Sequence, residues 1–128
     1  MAHLSLVTVV VADYDEALAF YVGVLGFDLL EDTRLDEAKR WVVVRPPGAT
    51  ETGVLLARAV NDAQRAAIGA QSGGRVAFFL ATEDFSGDHA RMLAAGVHFV
   101  EEPRRGPYGI VAVFEDLHGN RWDLVERT

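Results

Sequence analysis

The feature that most constrains the fold of this chain is an internal repeat, because the second half follows the pattern of the first. The β-branched run "VTVVV" from Val7 reappears as "VAFFL" from Val76, at an offset of 69 positions. The motif "GFDLLED" from Gly26 reappears as "GVHFVEE" from Gly96, at an offset of 70 positions. Self-similarity over such a length indicates two copies of one structural unit.

Each copy has the order strand, helix and three strands. In the first copy, the apolar run predicts a buried strand, Asp13 and Glu16 form a helix-capping pair, and Gly26 is placed to end the helix. Three strand-like runs follow, "FDLLEDT", "RWVVVRPPG" and "TGVLLAR". The second copy has the helical segment "DFSGDHARMLAAG" and then "GVHFVEE", "YGIVAVFED" and "NRWDLVE". The sequence therefore predicts an α+β fold made of tandem βαβββ modules.

Length and composition set the wider limits. A chain of 128 residues fits a single domain, 1–128, with a first module at 4–57, a linker at 58–74 and a second module at 75–127. The absence of cysteine excludes disulfides, thiolate zinc sites and cysteine nucleophiles. A net charge of −7 argues against a nucleic-acid partner. No apolar run approaches the roughly 20 residues that cross a bilayer, so we expect no membrane partner and a cytoplasmic location.

Two stretches, "VTVVVADYDEALAFYVGVLGFDLLED" and "FEDLHGNRWDLVE", resemble the vicinal oxygen chelate superfamily, which includes glyoxalase, bleomycin-resistance protein and extradiol dioxygenase. The segment "DLHGNRWDL" is similar to the family's Asp-Pro-Asp-Gly-Asn-x-x-Glu-Leu, with Leu117 for Pro, His118 for Asp and Asp123 for Glu. The resemblance covers nearly the whole chain. It implies a curved mixed sheet around a cup, and a homodimer.

The resemblance also implies where a metal would bind. Members that use one take ligands from the first and last strands of each module, and these positions fall at Leu6, about Leu56, Arg75 and Asp123. Only Asp123 can be a ligand, and a catalytic metal needs about three protein donors. We expect a surface position for His3, a surface or packing role for His89 and His98, and a solvated position for His118. The sequence therefore predicts no metal and no cofactor.

Charge suggests another role for two of these positions. A guanidinium at Arg75 can stand where the metal would be and pair with Asp123, ready for an anionic or carbonyl-bearing ligand. In the alternative interpretation, Arg75 begins its strand at the surface and Asp123 is a rim residue.

Strand alternation predicts which side chains line the cup. Thr8 shares a strand face with Leu6, and Phe79 shares one with Arg75, while Trp41 and Tyr108 offer flat aromatic walls. The loop "RRGPYGIV" either covers the opening or is a simple connection, and its Arg104 and Arg105 are expected to be solvated. The predicted ligand-binding set is Leu6, Thr8, Trp41, Leu56, Arg75, Phe79, Tyr108, Arg121 and Asp123.

Three functions remain open at this point. The first is a metal-free protein that binds a small organic ligand in an apolar cup. The second is a metal-dependent lyase, isomerase or dioxygenase of the same superfamily, with lactoylglutathione lyase-like or dioxygenase-like chemistry. The third is a metal-free enzyme that uses Asp123 or Glu115 as general base, which requires burial to raise the pKa of the carboxylate.

Overall fold

The computed structural model describes residues 1–128, which divide into two compact units, Met1–Ile68 and Gly69–Thr128. We call them the first unit and the second unit. The division falls inside the segment 58–74 that the sequence predicts as a linker. No helix in the chain combines the length and the apolar character needed to cross a bilayer.

The first unit is a βαβββ module followed by a short helix. Its elements are β1 (Leu6–Val11), α1 (Tyr14–Leu18) with a π-helical continuation (Ala19–Val24), β2 (Asp28–Arg34), β3 (Arg40–Arg45), β4 (Gly53–Arg58) and α2 (Asp62–Ala67). The strands form one sheet in the order β1-β4-β3-β2, in which β1 and β4 are parallel and the other neighbours are antiparallel.

The first helix begins as predicted and ends differently. Asp13 Oδ2 accepts a hydrogen bond from the Glu16 amide at 2.9 Å, and Gly26 adopts a φ of 78° after the helix, as the capping pattern predicts. Between them the α-helix widens into a π-helical turn, where the Leu25 amide donates to the Phe20 carbonyl at 2.8 Å. Gly23 lies within this turn, and its weak helical preference favours the departure from α geometry.

The two faces of the first sheet differ in burial, because strand side chains alternate. Val9 and Val11 of β1 are fully buried, together with Leu56 of β4 and Tyr21 of the π-helical turn. Thr8, which precedes Val9, is exposed on the opposite face. Val9 and Val11 therefore belong to the helix-facing side of β1, and Thr8 belongs to its open side.

The second unit repeats this order with one added strand. Its elements are β5 (Val76–Ala81), α3 (Phe85–Ala94), β6 (His98–Phe99), β7 (Arg104–Gly106), β8 (Gly109–Glu115) and β9 (Arg121–Arg127). The sheet order is β5-β9-β8-β6, with β5 parallel to β9 and with β7 also paired to β8. The predicted α+β class of tandem βαβββ modules is confirmed.

The added strand corrects one expectation. The segment "RRGPYGIV" was expected to be a loop, but Arg104–Gly106 pairs antiparallel with β8 and turns through Pro107 and Tyr108. The physical reason is the length of β8, because β6 pairs only with its last two residues and leaves the rest of that edge open. Strand β7 satisfies the backbone groups along this edge.

Aromatic side chains form the core of the second unit. Phe114 is fully buried and stacks on Trp122 with ring centroids 5.9 Å apart, and Phe78 lies 4.6 Å from the same indole. His89 packs between Phe85 at 5.4 Å and Phe99 at 4.5 Å, which confirms the packing role expected for this histidine. Trp122 and Leu124 face inward from β9, so Asp123 faces the open side.

A buried carboxylate organises the turn before β9. Asp116 Oδ1 accepts hydrogen bonds from the amides of His118 and Asn120, and Oδ2 accepts one from Asn120 Nδ2, all at 3.0 Å. Only 6% of Asp116 and 2% of Asn120 are exposed. His118, which was expected to be solvated, is half-buried, because the backbone at Gly69 packs against its carbonyl.

Candidate functional site

A cavity of about 510 Å³ lies at one end of the sheet in the first unit. Pairing between β3 and β4 ends at Val42 and Leu56, although both strands continue beyond that pair. The strands therefore separate, and the gap exposes side chains from both of them. We call this space the first-unit cavity; from these two strands its walls include Trp41, Leu55, Ala57 and Arg58, and Thr8 of β1 also lines it.

Arg40 forms a fixed part of the wall. Its Nη1 donates to Asp15 Oδ1 at 2.9 Å, and its Nε and Nη2 donate to the two oxygens of Asp32 at 3.1 and 2.7 Å. The guanidinium also lies 5.1 Å from the centroid of the Tyr14 ring. The hydrogen bonds to Asp32 raise the pKa of Arg40 and lower the pKa of Asp32. The charge of Arg40 is therefore already matched within the protein.

Arg58 differs from Arg40 in having no partner. Its Nε is buried and makes no hydrogen bond, and no salt bridge engages its guanidinium. Asp36 also borders the cavity, but Oδ1 of its carboxylate accepts from the amides of Ala38 and Lys39 at 2.8 and 2.7 Å. These backbone hydrogen bonds lower the pKa of Asp36, with a smaller contribution from the charge of Arg58. Asp36 is thus a fixed anion that does not bond to the arginine.

The second unit has a cavity of its own, of about 580 Å³. It is bordered by β5, β9 and the hairpin of β7 and β8, and we call it the second-unit cavity. Phe79 and Tyr108 line it, and 69% and 49% of their surfaces are exposed. Large apolar side chains exposed in this way are candidates for contact with a ligand or another surface.

Asp123 is a half-buried carboxylate that lines the second-unit cavity. Its Oδ1 is buried and has no hydrogen-bond partner. Burial raises the pKa of Asp123, the charge of Arg104 opposes this rise, and the charge of Glu101 adds to it. The unpaired oxygen and the direction of the pKa shift agree, because both follow from removal of the carboxylate from water.

The predicted pairing of Arg75 with Asp123 is wrong. Phe79 is the β5 residue beside Asp123 in the sheet, and a bulge separates Val76 from Phe78. Arg75 precedes β5, is exposed, and forms no ion pair or hydrogen bond through its side chain. The cation whose charge acts on Asp123 is Arg104, which is exposed, as expected, and also donates through Nε to both oxygens of Glu101 at 3.0 Å.

The structure distributes the predicted ligand-binding residues over two places. Thr8, Trp41 and Leu56 line the first-unit cavity. Phe79, Tyr108 and Asp123 line the second-unit cavity. The remaining three, Leu6, Arg75 and Arg121, line neither of these cavities. Their roles in ligand binding stay predictions.

At one predicted position, the neighbouring residue in the chain takes the place of the predicted one. Leu56 pairs with Val9 and is fully buried on the helix-facing side, whereas Leu55 pairs with Thr8. Leu55 therefore occupies the open face that the sequence assigns to Leu56.

Arg58 and Arg104 were missed as site residues. The sequence does contain a sign of the role of Arg58, because a cation ends the apolar run of β4. Strand alternation places Arg58 on the same face of the sheet as the buried Leu56.

The side chains present do not fit a metal centre. Three of the four family positions, Leu6, Leu56 and Arg75, carry no metal ligand, and Asp123 stands alone. Nowhere in the chain do three or more His, Asp or Glu side chains come together in a way that could hold a metal ion.

Comparisons with known proteins agree with this fold. The family model described as Glyoxalase/Bleomycin resistance protein/Dioxygenase superfamily matches residues 2–124. An uncharacterized protein of Shewanella frigidimarina (strain NCIMB 400) is 54% identical over 127 residues, which cover 98% of this chain and 92% of that protein. The crystal structure of UcmS2 has a TM-score of 0.85 and 34% identity, covering 97% of each chain. The crystal structure of TnmS3, an antibiotic binding protein from Streptomyces sp. CB03234, has a TM-score of 0.79 and 32% identity, covering 100% of this chain and 98% of TnmS3.

Proposed function

This chain belongs to the glyoxalase/bleomycin resistance protein/dioxygenase superfamily, and we propose that it binds a small organic ligand in the first-unit cavity without using a metal. The observation that carries the proposal is the lining of that cavity, where Trp41, Leu55 and Ala57 form an apolar wall beside polar groups. Its volume of about 510 Å³ lies within the range of small-molecule sites. The description of TnmS3 as an antibiotic binding protein supports binding as the activity.

Trp41 is the side chain on which we expect the ligand to stack. It is half-buried in β3, where β3 has separated from β4, so one part of the indole is held by the protein while another part borders the cavity. A stacked aromatic pair contributes about 0.5–1.5 kcal/mol beyond the burial of apolar area. Removal of the indole should therefore weaken binding by roughly tenfold or more.

The proposal is tested by a thermal-shift screen with three probes: bleomycin, 2-naphthoate and S-lactoylglutathione. We expect at least one probe to raise the Tm, since a ligand at 100 times its Kd adds about 2.7 kcal/mol to stability. Trp41→Ala should lose most of that shift, whereas Leu93→Ala, at an exposed apolar residue of α3, should keep it. A probe that stabilises Trp41→Ala as much as the unmodified chain would contradict binding in the first-unit cavity.

The metal-dependent alternative requires a separate measurement. We expect the purified chain to hold less than stoichiometric nickel, zinc, iron or manganese, and we expect probe binding to persist after dialysis against a chelator. A stoichiometric metal that is lost together with turnover in Asp123→Ala would instead support a lyase, isomerase or dioxygenase.

A second candidate function is general-base catalysis at Asp123. The observation that favours it is the buried, unpaired Oδ1 on a carboxylate whose pKa is raised by burial, beside a cavity. A carboxylate with a raised pKa is a stronger base when ionised. Glu115 is placed differently, because its carboxylate lies 3.8 Å from Arg121 and 3.9 Å from His98 and borders neither cavity.

Turnover of the hemithioacetal of methylglyoxal and glutathione to S-lactoylglutathione tests this candidate. If Asp123 is the base, Asp123→Asn should lower kcat by about 100-fold or more and leave probe binding intact, with Glu115→Gln as the control. Equal turnover by Asp123→Asn and the unmodified chain would remove the candidate.

The homodimer and the cytoplasmic location implied at the start remain part of the proposal. Light scattering checks the first, because a dimer doubles the chain mass of 14.0 kDa. A particle of single-chain mass at micromolar concentration would contradict the dimer.

A further inference from the structure

We propose that the first-unit cavity selects aromatic ligands that carry an anionic oxygen, such as an aromatic carboxylate, and that Arg58 binds this oxygen. The inference rests on the proposed function, since it names the ligand class for the same cavity. It adds a recognition residue, Arg58, that lies at none of the four family positions.

The first argument is the unmet hydrogen-bond donor. Arg58 ends β4 and lines the cavity, and its Nε is buried without a hydrogen-bond partner. A donor that is buried and unpaired is costly to the folded chain, and a ligand oxygen that accepts from it removes this cost. Arg40, the other arginine of the cavity, already makes three hydrogen bonds to carboxylates and therefore does not offer a ligand a comparable unpaired donor.

The second argument is the charge of the lining. With Arg40 matched by Asp15 and Asp32, the cations left at the cavity are Lys39 and Arg58. They face a single carboxylate, Asp36, whose Oδ1 is held by two backbone amides. The three cations and the three carboxylates at or beside the cavity sum to zero, because Arg40 is held by two carboxylates. The unpaired guanidinium of Arg58, rather than a net charge, therefore favours an anionic group over a cationic one.

The third argument is the position of the aromatic wall. Trp41 and Arg58 lie on the two strands that separate, β3 and β4, and both border the resulting gap. Strand alternation places Trp41 and Arg58 on opposite faces of the sheet, and both border one space only where the strands separate. A flat ring placed against Trp41 must therefore extend an attached oxygen through this gap to reach Arg58. Arginine suits this role because its planar guanidinium matches a carboxylate with two parallel hydrogen bonds.

Isothermal titration with two matched probes tests the inference. The probes are 2-naphthoate, which carries a carboxylate, and 2-naphthylmethanol, which has the same rings and no charge. We expect the unmodified chain to bind 2-naphthoate roughly 10- to 100-fold more tightly than the alcohol. Arg58→Met should abolish this preference and leave the Kd of the alcohol within about twofold of its original value. Arg58→Lys, which keeps the charge but lacks the Nε donor, should retain only part of the preference.

Arg91→Met is the matched control, because Arg91 is an exposed residue of α3 outside both cavities, and it should bind both probes as the unmodified chain does. A preference for 2-naphthoate that survives in Arg58→Met and Arg58→Lys alike would overturn the inference and leave the proposed function standing. Saturable binding of neither probe, or binding unaffected by Trp41→Ala, would overturn both.

Discussion

Removal of the Asp116 carboxylate should destabilise the chain more than most single substitutions. The carboxylate accepts three hydrogen bonds at 3.0 Å, and Asp116 and Asn120 are 6% and 2% exposed. In Asp116→Ala, the Asn120 amide and side-chain donors and the His118 amide lose their acceptor in a dry environment. Each bond to a charged acceptor is worth about 1.5–3 kcal/mol, and such losses are less than additive, so we expect a cost of about 3–5 kcal/mol.

The matched variant Asp116→Asn should cost only about 1 kcal/mol, because an amide oxygen still accepts the two backbone bonds. The amide nitrogen that this substitution introduces would face Asn120 Nδ2, but Asn120 Oδ1 is buried without a partner. A half-turn of the Asn120 amide therefore supplies the acceptor that the introduced nitrogen needs.

Urea unfolding followed by tryptophan fluorescence measures both variants. In a Trp41→Phe background, Trp122 is the only indole, and it stands two residues after Asn120 in the same unit. With an m-value of about 2 kcal/mol/M, Asp116→Ala should lower the midpoint by roughly 2 M without changing the slope. The reasoning would be refuted if Asp116→Ala lost less than about 1 kcal/mol, or if Asp116→Asn lost as much as the alanine variant.

Three further predictions concern other contacts. Asp123→Asn should stabilise the chain at pH 7 by about 0.5–1 kcal/mol. Burial raises the pKa of Asp123 above its ordinary 3.8, so the unmodified chain loses stability as the pH rises from 3.8 through the raised value. In urea unfolding, the stability that the substitution adds should therefore vanish near or below pH 3.8. Arg40→Met should cost about 1–2 kcal/mol, less in high salt, by the same assay. Gly69→Ala, whose Cβ would collide with the His118 carbonyl oxygen, should lower the Tm well below that of Gly73→Ala, which has open space and a similar φ.

The order of the elements could be predicted because it depends on local signals. Capping at Asp13, the left-handed glycine at position 26 and the alternation that buries Trp122 and Leu124 each involve only residues close in the chain. The internal repeat then extended the prediction from one unit to the other, and the observed strand orders of the two sheets correspond.

The candidate site was less predictable because it depends on relations between strands. The bulge between Val76 and Phe78 sets the register of β5 against β9, and no spacing along either strand reveals it. Arg58 becomes a site residue only because β3 and β4 stop pairing after Val42 and Leu56. Arg104 reaches the neighbourhood of Asp123 only because an unpaired edge of β8 recruits β7. Each cause is a tertiary arrangement with no local sequence signal.

Strand β2, the last strand of the first sheet, has a bearing on how this chain behaves at high concentration. All seven of its residues are exposed, and a bulge interrupts its pairing between Leu29 and Glu31. Three of the seven side chains are acidic, so a second copy of β2 laid alongside it would bring like charges together. Bulges and charges of this kind obstruct edge-to-edge pairing between sheets. This edge of the first sheet is therefore protected against aggregation in which other copies of the chain add strands to it.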